Sequence, residues 1–450
     1  MVKCTSSAGP EHEEFTEWAK SQEIKINGVA PTRFPGQGVG MAAQRNINAN
    51  EVILTVPIKS MLTIEHIPSA FRKKFPEDIA TQALYAAYFC FAEETQEKFS
   101  LWQTVWPSRQ DFDDSIPLIW PKHLKGESSS DSDPALCWPP LPPAISGRWN
   151  TFDKRTVPYA YTPDHQDLLK EQESRFEKAY REVQKVFADV DRELFTYYWL
   201  IVHTRSFHHI PPGGTPPDDR NDAMALCPFG DYFNHSADGG CKVAFDEQEY
   251  TFTTTKSYGK FIIGLSKHTK NFPGGIETNK NQSEKGEEIF FSYGNHSSDT
   301  LLVDYGFVPA QNQWDALFLD DIILKDLTTE NIEDLNFERY LGNYQITASG
   351  PCFRTEVAAC MKYMTPDDWN RHILGDQPAS FDQRKTNAII AGWIGEYVHE
   401  AEVALQKLTA LQGNRKYRGE KRLGMIVMRW RQIVGLCGEA VRALGEDAAG

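Results

Sequence analysis

The sequence predicts an α+β fold, in which a core of short β-strands is split by a helical insert and followed by an all-helical C-terminal domain. Residues 51–57 are apolar, rich in β-branched side chains and closed by a proline, which is typical of a strand. Apolar side chains recur at three- and four-residue spacing within residues 79–91 and 168–187, as they do on one face of a helix. The same periodicity returns between residues 381 and 444.

This pattern divides the chain of 450 residues into five parts, and a chain of this length is expected to hold more than one domain. We predict an N-terminal segment (1–34), a first part of the β core (35–57), a helical insert with a proline-rich loop (58–202), a second part of the β core (203–309) and a helical domain (310–450).

Local patterns add two pairings to this outline. Residues 241–246 and 249–256 each favour a short strand, and the two residues between them predict a hairpin. The helical stripes of residues 381–411 and 423–444 are separated by a short basic connection, so we expect two antiparallel helices. A further short amphipathic helix is expected within residues 11–21.

Composition and charge argue against several classes of protein. The formal net charge is −15, whereas non-specific nucleic-acid binding depends on clustered Lys and Arg. No run of eighteen apolar residues occurs, and no apolar signal segment precedes Pro35, so we expect no membrane partner. The eight cysteines are scattered without a C-x-x-C pair, which argues against a zinc cluster and indicates a reducing compartment. We expect a monomer in the cytosol or the nucleus.

A glycine-rich turn, Gly36-x-Gly38-x-Gly40, precedes the first predicted core strand. Glycines let a backbone come close to a ligand and expose its N–H groups. A dinucleotide-binding motif would need a strand before the glycines and a helix after them. Here a strand-like segment follows, so that interpretation fails, and a plain β-turn remains the alternative to a ligand site.

Asp231-x-x-Asn234-His235 is a more specific group of polar residues. An adjacent amide and imidazole are suited to binding a heteroaromatic ring, and an Asx-turn or a helix cap is the structural alternative. A metal site that combines Asp231 and His235 with His208-His209 is a third interpretation, but no third ligand stands at a convincing spacing.

Two tyrosines stand directly before glycines. Tyr293 closes the segment Gly286–Gly294, which we predict to be a buried strand ending on a tyrosine at a turn, and Tyr305 lies in Asp304-Tyr305-Gly306-Phe307. Taken alone, an aromatic beside a glycine is often only core packing at a bend. We expect the segments Asp231–His235 and Gly286–Gly294 to meet in space.

The order of these features resembles the SET-domain methyltransferases. More narrowly, it is similar to the Rubisco large-subunit methyltransferase-like class, which includes fungal ribosomal-protein lysine methyltransferases. The resemblance covers the chain from about Pro35 onwards. It is strongest in Gly286–Gly294 followed by 304–308, and next strongest in 231–236. It implies a SET-type β core and a helical substrate-binding domain at the C-terminus.

The resemblance also implies roles for individual residues, with S-adenosyl-L-methionine as the cofactor and no metal. The cofactor-binding residues it implies are Gln37, Gly38, Val39, Arg205, Asn234, His235 and Tyr293. Tyr293 is further implied as the catalytic residue at the methyl-transfer pore. The substrate-binding residues it implies are Asp231, Tyr305 and Phe307. One departure is His209, which stands where the class often has a second basic residue. The others are the long loops at 211–222 and 259–285, which affect substrate choice more than catalysis.

The function implied by the resemblance is an S-adenosylmethionine-dependent protein-lysine N-methyltransferase. Its expected partner is a lysine-bearing, non-histone protein, such as a ribosomal or other cytosolic protein. Two alternatives stay open: a protein-histidine methyltransferase of the same class and a non-catalytic SET-fold interaction module. A metal hydrolase is the alternative that the residues support least.

Overall fold

The structure is a computed structural model that describes residues 6–36, 38–125, 140–147, 166–211, 213–259, 286–415, 417 and 419–447. Gln37 and most of the 259–285 insertion lie outside these residues. The chain forms two compact units: the first unit is Met1–Pro107 with Glu177–Gly294, and the second unit is Ser108–Phe176 with Asn295–Gly450. The domain boundaries given above stay a prediction.

The first unit contains small antiparallel sheets built from short strands. Its strands are β1 (Ser6–Ser7), β2 (Lys25–Ile26), β3 (Val29–Phe34), β4 (Gly38–Ala43), β5 (Val52–Pro57), β6 (Ser206–His208), β7 (Met224–Leu226), β8 (Cys241–Phe245), β9 (Glu249–Thr254) and β10 (Glu288–Ile289). They pair in the orders β1-β3-β4-β10, β2-β5-β9-β8 and β6-β7. The second unit adds β11 (Leu317–Phe318), β12 (Gln345–Thr347) and β13 (Gly350–Pro351).

The described residues also form sixteen α-helices. They are α1 (Pro10–Ser21), α2 (Ser69–Arg72), α3 (Thr81–Phe91), α4 (Glu93–Gln103), α5 (Arg109–Ser115), α6 (Lys122–Lys125), α7 (Pro143–Ser146), α8 (Leu168–Val186), α9 (Arg192–Arg205), α10 (Ser298–Tyr305), α11 (Asp320–Asp326), α12 (Thr329–Phe337), α13 (Phe353–Cys360), α14 (Pro366–Ile373), α15 (Gln383–Gly413) and α16 (Lys421–Asp447). The predicted helices over 79–91, 168–187, 381–411 and 423–444 are therefore confirmed.

The predicted strand over 51–57 is strand β5, and it is central in its sheet. Ile53, Leu54 and Val56 are fully buried, which explains why β-branched and apolar residues occur there almost without interruption. The hairpin predicted from 241–256 is formed by β8 and β9. The Asp246 carboxylate closes its turn by accepting hydrogen bonds from the backbone N–H groups of Gln248 and Glu249.

The segment Gly286–Gly294 is only partly a strand, which corrects the prediction. Regular pairing is limited to β10, which lies antiparallel to β4. The chain then changes partner, because Phe291 forms isolated parallel bridges with His235 and Cys241. The Phe290 carbonyl accepts hydrogen bonds from the N–H groups of both Gly240 and Cys241. The end of the segment therefore runs beside the polar residues of the site.

Helices α15 and α16 are antiparallel, as predicted, because the Asn387 side chain near the start of one donates to the Leu444 carbonyl near the end of the other. The two helices meet through buried rings, with Tyr397 of α15 edge to face against Trp430 of α16 at 6.5 Å. Arg429 of α16 is fully buried, and it donates to the carboxylates of Asp299 and Asp315 over 2.5–2.9 Å. This ion cluster fastens α16 to the first turn of α10.

Candidate functional site

The glycine turn joins β3 to β4 in the first unit. Gly36 and Gly38 have φ angles of 77° and 83°, a region that side chains disfavour. Apart from the residues next to each glycine in the chain, no described atom lies within 4 Å of the position that a Cβ would take. Gly40 differs, since a Cβ there would lie 2.3 Å from a carboxylate oxygen of Glu288 and 2.6 Å from Nδ2 of Asn234. The turn is open to a ligand at its tip and tightly packed at its base.

Asp231 lies in a 3₁₀ turn (Gly230–Tyr232) and is bound from two sides. Nη1 of Arg205 donates to its carbonyl (3.0 Å) and to its carboxylate (3.2 Å). The indole N–H of Trp102 donates to the same carboxylate at 3.1 Å. The Asp231 side chain is 3% exposed and that of Arg205 is 21% exposed. Nε of Arg205 is buried, and it finds no acceptor among the residues the structure describes.

Asn234 connects the glycine turn to β10. Its Nδ2 donates to the Val39 carbonyl at 3.3 Å and to the Glu288 carboxylate at 2.8 Å. With both amide hydrogens used in this way, the side-chain oxygen is directed away from these two partners. The backbone of Asn234 is fixed as well, because its carbonyl accepts the N–H of Phe291 at 2.9 Å.

His235 and Tyr293 meet, as the sequence predicted for the segments that carry them. The backbone N–H of Tyr293 donates to Nδ1 of His235 at 3.0 Å, and the two ring centroids are 5.1 Å apart. Because Nδ1 is the acceptor, the neutral imidazole carries its proton on Nε2. The Tyr293 hydroxyl donates to the Phe233 carbonyl at 2.8 Å. Tyr293 is therefore held at both its backbone and its hydroxyl.

Aromatic rings surround this point. Phe207 stacks on Phe291 at 5.8 Å and meets Phe252 edge to face at the same distance. Phe233 stacks on Phe252 at 5.2 Å, and Phe291 lies 6.3 Å from Tyr293. Phe207 lies in β6, two residues after Arg205, so one short stretch supplies both a cation and a ring.

Burial dominates the electrostatics of the site. It raises the pKa of Tyr293 to about 12, so that the hydroxyl stays protonated near neutral pH. It also raises the pKa of Asp231, although Arg205 and Trp102 act in the opposite direction. The pKa of the Glu288 carboxyl is raised by burial too, against the hydrogen bond from Asn234.

Tyr305 and Phe307 lie in the second unit. Tyr305 ends helix α10, and Gly306 follows with a φ of 77°, where a Cβ would lie 2.8 Å from Ile116. The rings of Tyr305 and Phe307 are 6.4 Å apart, and His296 lies 6.2 Å from Tyr305. Their predicted role in a lysine channel stays a prediction.

Two contributors escaped the sequence interpretation. Glu288 was grouped with the buried strand, although a carboxylate inside an apolar segment is itself a signal of a specific partner. Trp102 gave no local signal, because its partner Asp231 is 129 residues away. A cavity of about 420 Å³, lined by residues such as His66 and Lys98, shares no residue with this site.

The metal alternative finds no support in the contacts. Nδ1 of His235 accepts the Tyr293 N–H, and Nδ1 of His209 lies 2.8 Å from the Tyr250 hydroxyl. Across the described ranges, no group of three or more His, Cys, Asp or Glu side chains is placed to hold a metal ion. In the same ranges, no helix has the length and apolar character needed to cross a membrane.

Comparisons with known proteins agree with the fold prediction. No protein-family model matches the chain. SET domain-containing protein 4 of Homo sapiens is 21% identical over 431 residues, which cover 90% of this chain and 84% of that protein. Ribosomal lysine N-methyltransferase set11 of Schizosaccharomyces pombe is 25% identical over 244 residues, which cover 52% of this chain and 56% of that protein. Ribosomal lysine N-methyltransferase 2 of Saccharomyces cerevisiae is 27% identical over 208 residues, which cover 45% of this chain and 37% of that protein.

Solved structures with the same fold include those of Rubisco LSMT. The structure of Rubisco LSMT bound to AdoMet superposes with a TM-score of 0.54 at 14% identity, covering 97% of this chain and 94% of that one. The LSMT SET domain bound to MeLysine and AdoHcy gives a TM-score of 0.53 at 16% identity, covering 98% and 94%. The predicted fold class and the resemblance to SET-domain proteins of this class are confirmed.

Proposed function

We propose that this chain, which has the SET fold of Rubisco LSMT, is an S-adenosylmethionine-dependent protein-lysine N-methyltransferase. The observation that carries the proposal is the convergence of two segments, the glycine turn and Gly286–Gly294, on Asn234 and His235. Asn234 binds Val39 of the glycine turn and Glu288, while His235 binds the backbone of Tyr293. Relatives named as ribosomal lysine N-methyltransferases and structures of LSMT bound to AdoMet support the same activity.

The residues present fit the cofactor. The Cβ positions of Gly36 and Gly38 are open, so a ligand can approach the backbone there. We assign Gln37, Gly38 and Val39 to cofactor binding. Arg205 has a buried Nε–H without an acceptor among the described residues, which suits a carboxylate ligand. We assign Asn234 and His235 to the rest of the cofactor. When bound, S-adenosylmethionine supplies an electrophilic methyl group on a sulfonium.

Tyr293 acts as an orienting group and not as a base. Its pKa of about 12 keeps the hydroxyl protonated, and its donation to Phe233 fixes the direction of the oxygen lone pairs. A phenol oxygen held in this way can accept a hydrogen bond from an incoming amine and align it. Alignment of the two reacting groups is the main requirement of an in-line displacement.

The lysine amine must lose its proton before it can attack. A free lysine titrates near pH 10.4, and an apolar environment lowers that pKa by disfavouring the ammonium form. The rings of Phe207, Phe291 and Tyr293 offer such an environment, and their faces also attract a cationic product. We keep Asp231, Tyr305 and Phe307 as proposed substrate-binding residues. The contacts of Asp231 further suggest that its carboxylate holds Arg205 in place.

The proposed substrate is a non-histone protein such as a ribosomal or other cytosolic protein, modified in the cytosol or the nucleus. The names of the fungal relatives support the ribosomal class. The net charge of −15 also favours a basic partner.

The test uses labelled S-adenosylmethionine and a host-cell lysate. The purified full chain is incubated with both, and the labelled protein and residue are identified by mass spectrometry. We expect label on a lysine of a non-histone protein, and far less label with Tyr293→Phe. Label on histidine would replace the lysine assignment. A chain that fails to bind S-adenosylhomocysteine in calorimetry would refute the enzyme proposal and favour an interaction module.

A further inference from the structure

Helix α1 contacts Tyr232, which lies in the five-residue segment Asp231–His235 of the candidate site. Nδ1 of His12 is 2.6 Å from the Tyr232 hydroxyl, and the two rings are 5.6 Å apart. His12 is 7% exposed and Tyr232 is 5% exposed, so this hydrogen bond is shielded from water. Shielding strengthens a hydrogen bond and makes the loss of either partner costly.

The hydrogen bond has a defined direction. Nε2 of His12 lies 3.6 Å from the Glu11 carboxylate, which favours the tautomer with its proton on Nε2. Nδ1 is then an acceptor, and the Tyr232 hydroxyl is the donor. Burial keeps the pKa of His12 below its ordinary value and that of Tyr232 above its own, so both groups stay neutral as this arrangement requires.

Apolar packing adds a second attachment. Phe15 of α1 is fully buried, with its ring 6.0 Å from Phe229 and 5.9 Å from Tyr232. Phe229 has a φ of 68°, a conformation that an L-residue adopts only when its surroundings hold it there. Phe15 therefore helps to stabilise the strained backbone of Phe229, which precedes the segment Asp231–His235.

Helix α1 is itself fixed to the core. Strand β1, directly before it, pairs with β3, and the Arg33 guanidinium donates to the Ala8 carbonyl at 3.2 Å. The helix also packs against α4, which carries the Trp102 side chain that binds Asp231. His12 is thus held at a fixed position relative to the sheet that contains β3 and β4, the two strands joined by the glycine turn.

Each residue of the segment has its own attachment. Asp231 is bound by Arg205, Tyr232 by His12, and Asn234 by Glu288. The Phe233 carbonyl accepts the Tyr293 hydroxyl, and His235 accepts the Tyr293 N–H. The Tyr232 attachment is directly adjacent to the carbonyl on which the direction of the Tyr293 hydroxyl depends.

We propose that His12 is a positioning residue for methyl transfer, which holds Tyr232 and, through it, the Phe233 carbonyl that orients the Tyr293 hydroxyl. The inference rests on the proposed function. It assigns to helix α1 a part in catalysis, although His12 touches neither the substrate nor the cofactor. A small displacement of Phe233 lowers kcat because the amine is misaligned, while the affinity for the cofactor depends mainly on other residues.

The test compares three variants of the full chain. His12→Leu removes the acceptor and keeps the bulk, Tyr232→Phe removes the donor, and His12→Asn places an amide oxygen near the position of Nδ1. With labelled S-adenosylmethionine and lysate protein, we expect His12→Leu and Tyr232→Phe each to lower kcat about tenfold. We expect KM for the cofactor to change less than twofold, and His12→Asn to recover most of the rate. Glu17→Gln, at an exposed pair on the same helix, is the matched control.

A second readout does not need activity. Hydrogen exchange should become faster in peptides that contain residues 229–236 and 291–294 of His12→Leu, and return towards wild type in His12→Asn. If wild type transfers methyl groups and the variants match it in kcat and in exchange, the positioning role is wrong. If wild type binds no cofactor, the proposed function fails, and the exchange data alone decide whether His12 orders the segment. A loss of thermal stability with unchanged kcat would show a merely structural role and overturn the inference.

Discussion

Two arginine–aspartate clusters, one in each unit, differ in how many N–H groups of the arginine have an acceptor. Arg429 in the second unit is fully buried and donates through Nε, Nη1 and Nη2 to two carboxylates. Arg205 in the first unit has one carboxylate partner, stays 21% exposed, and leaves a buried Nε–H without an acceptor in the described residues. We call the Arg429 cluster saturated, because its donors have acceptors, and the Arg205 cluster unsaturated. A saturated cluster stabilises the fold, whereas an unsaturated one leaves an N–H donor for a ligand.

Breaking the saturated cluster should give the largest effect. Arg429→Met leaves Asp299 and Asp315 buried without a cation, and removing one partner of a buried ion pair typically costs about 3–5 kcal/mol. Urea unfolding measures the loss in the free energy of unfolding. The control is the triple variant Arg429→Met, Asp299→Asn, Asp315→Asn, which removes the charges together and should lose less. A single-variant loss of only about 1 kcal/mol, the range of exposed pairs, would contradict the comparison.

The buried carboxylate of Asp320 extends this comparison, because backbone N–H groups donate to it. Asp320 accepts the backbone N–H groups of Asn343 (2.6 Å) and Tyr344 (2.9 Å), and burial raises its pKa from 3.8 to about 6. The folded state therefore binds the proton of Asp320 more tightly than the unfolded state does. The contribution of the protonated carboxyl to the free energy of unfolding is fully present below pH 3.8 and is lost as the pH rises through 6.

The measurement is the difference in the free energy of unfolding between wild type and Asp320→Asn at several pH values. Because a pKa shift of one unit corresponds to 1.36 kcal/mol, the difference should move in favour of the variant by about 3 kcal/mol between about pH 4 and 7. A difference that does not vary with pH would refute the raised pKa.

Within the first unit, Tyr293→Phe should affect the reaction without affecting the fold. We expect kcat to fall roughly 10²-fold, since one oriented hydrogen-bonding group is lost from the site of transfer. The affinity for S-adenosylhomocysteine, measured by calorimetry, should stay close to that of wild type. Tyr258→Phe is the matched control, because the buried Tyr258 hydroxyl has no partner among the described residues. Equal rates for wild type and Tyr293→Phe would remove Tyr293 from the mechanism.

The smallest expected effect comes from the unsaturated cluster. Arg205→Met should weaken S-adenosylhomocysteine binding about tenfold, or about 1.4 kcal/mol, with a smaller change in the free energy of unfolding than Arg429→Met. Arg192→Met, at an exposed pair with Glu177, serves as the control in titration calorimetry. If Arg205→Met binds the ligand as wild type does but unfolds as easily as Arg429→Met, the two clusters have the same structural role.

Sequence patterns predicted those elements of the fold that depend on residues close together in the chain. Strand β5, the β8–β9 hairpin and the antiparallel helices α15 and α16 follow from periodicity and turn residues close to one another in the chain. The meeting of His235 with Tyr293 was predicted from the order of motifs and a family resemblance, not from periodicity. The change of partner after β10 was missed, because the hydrogen bonds of Phe290 and Phe291 depend on distant residues. His12 and Trp102 gave no signal for the same reason.

The separation of these partners along the chain has a consequence for folding. The Asn234–Val39 bond joins residues 195 positions apart, and the His12–Tyr232 bond spans 220 positions. Contacts of such separation require large loops to close and form late compared with helices and hairpins. Tyr232 follows His12 by 220 positions, so helix α1 is synthesised long before the partner it holds. During synthesis, Phe15 and His12 therefore lack their contacts with Phe229 and Tyr232 until more than two hundred further residues have been added.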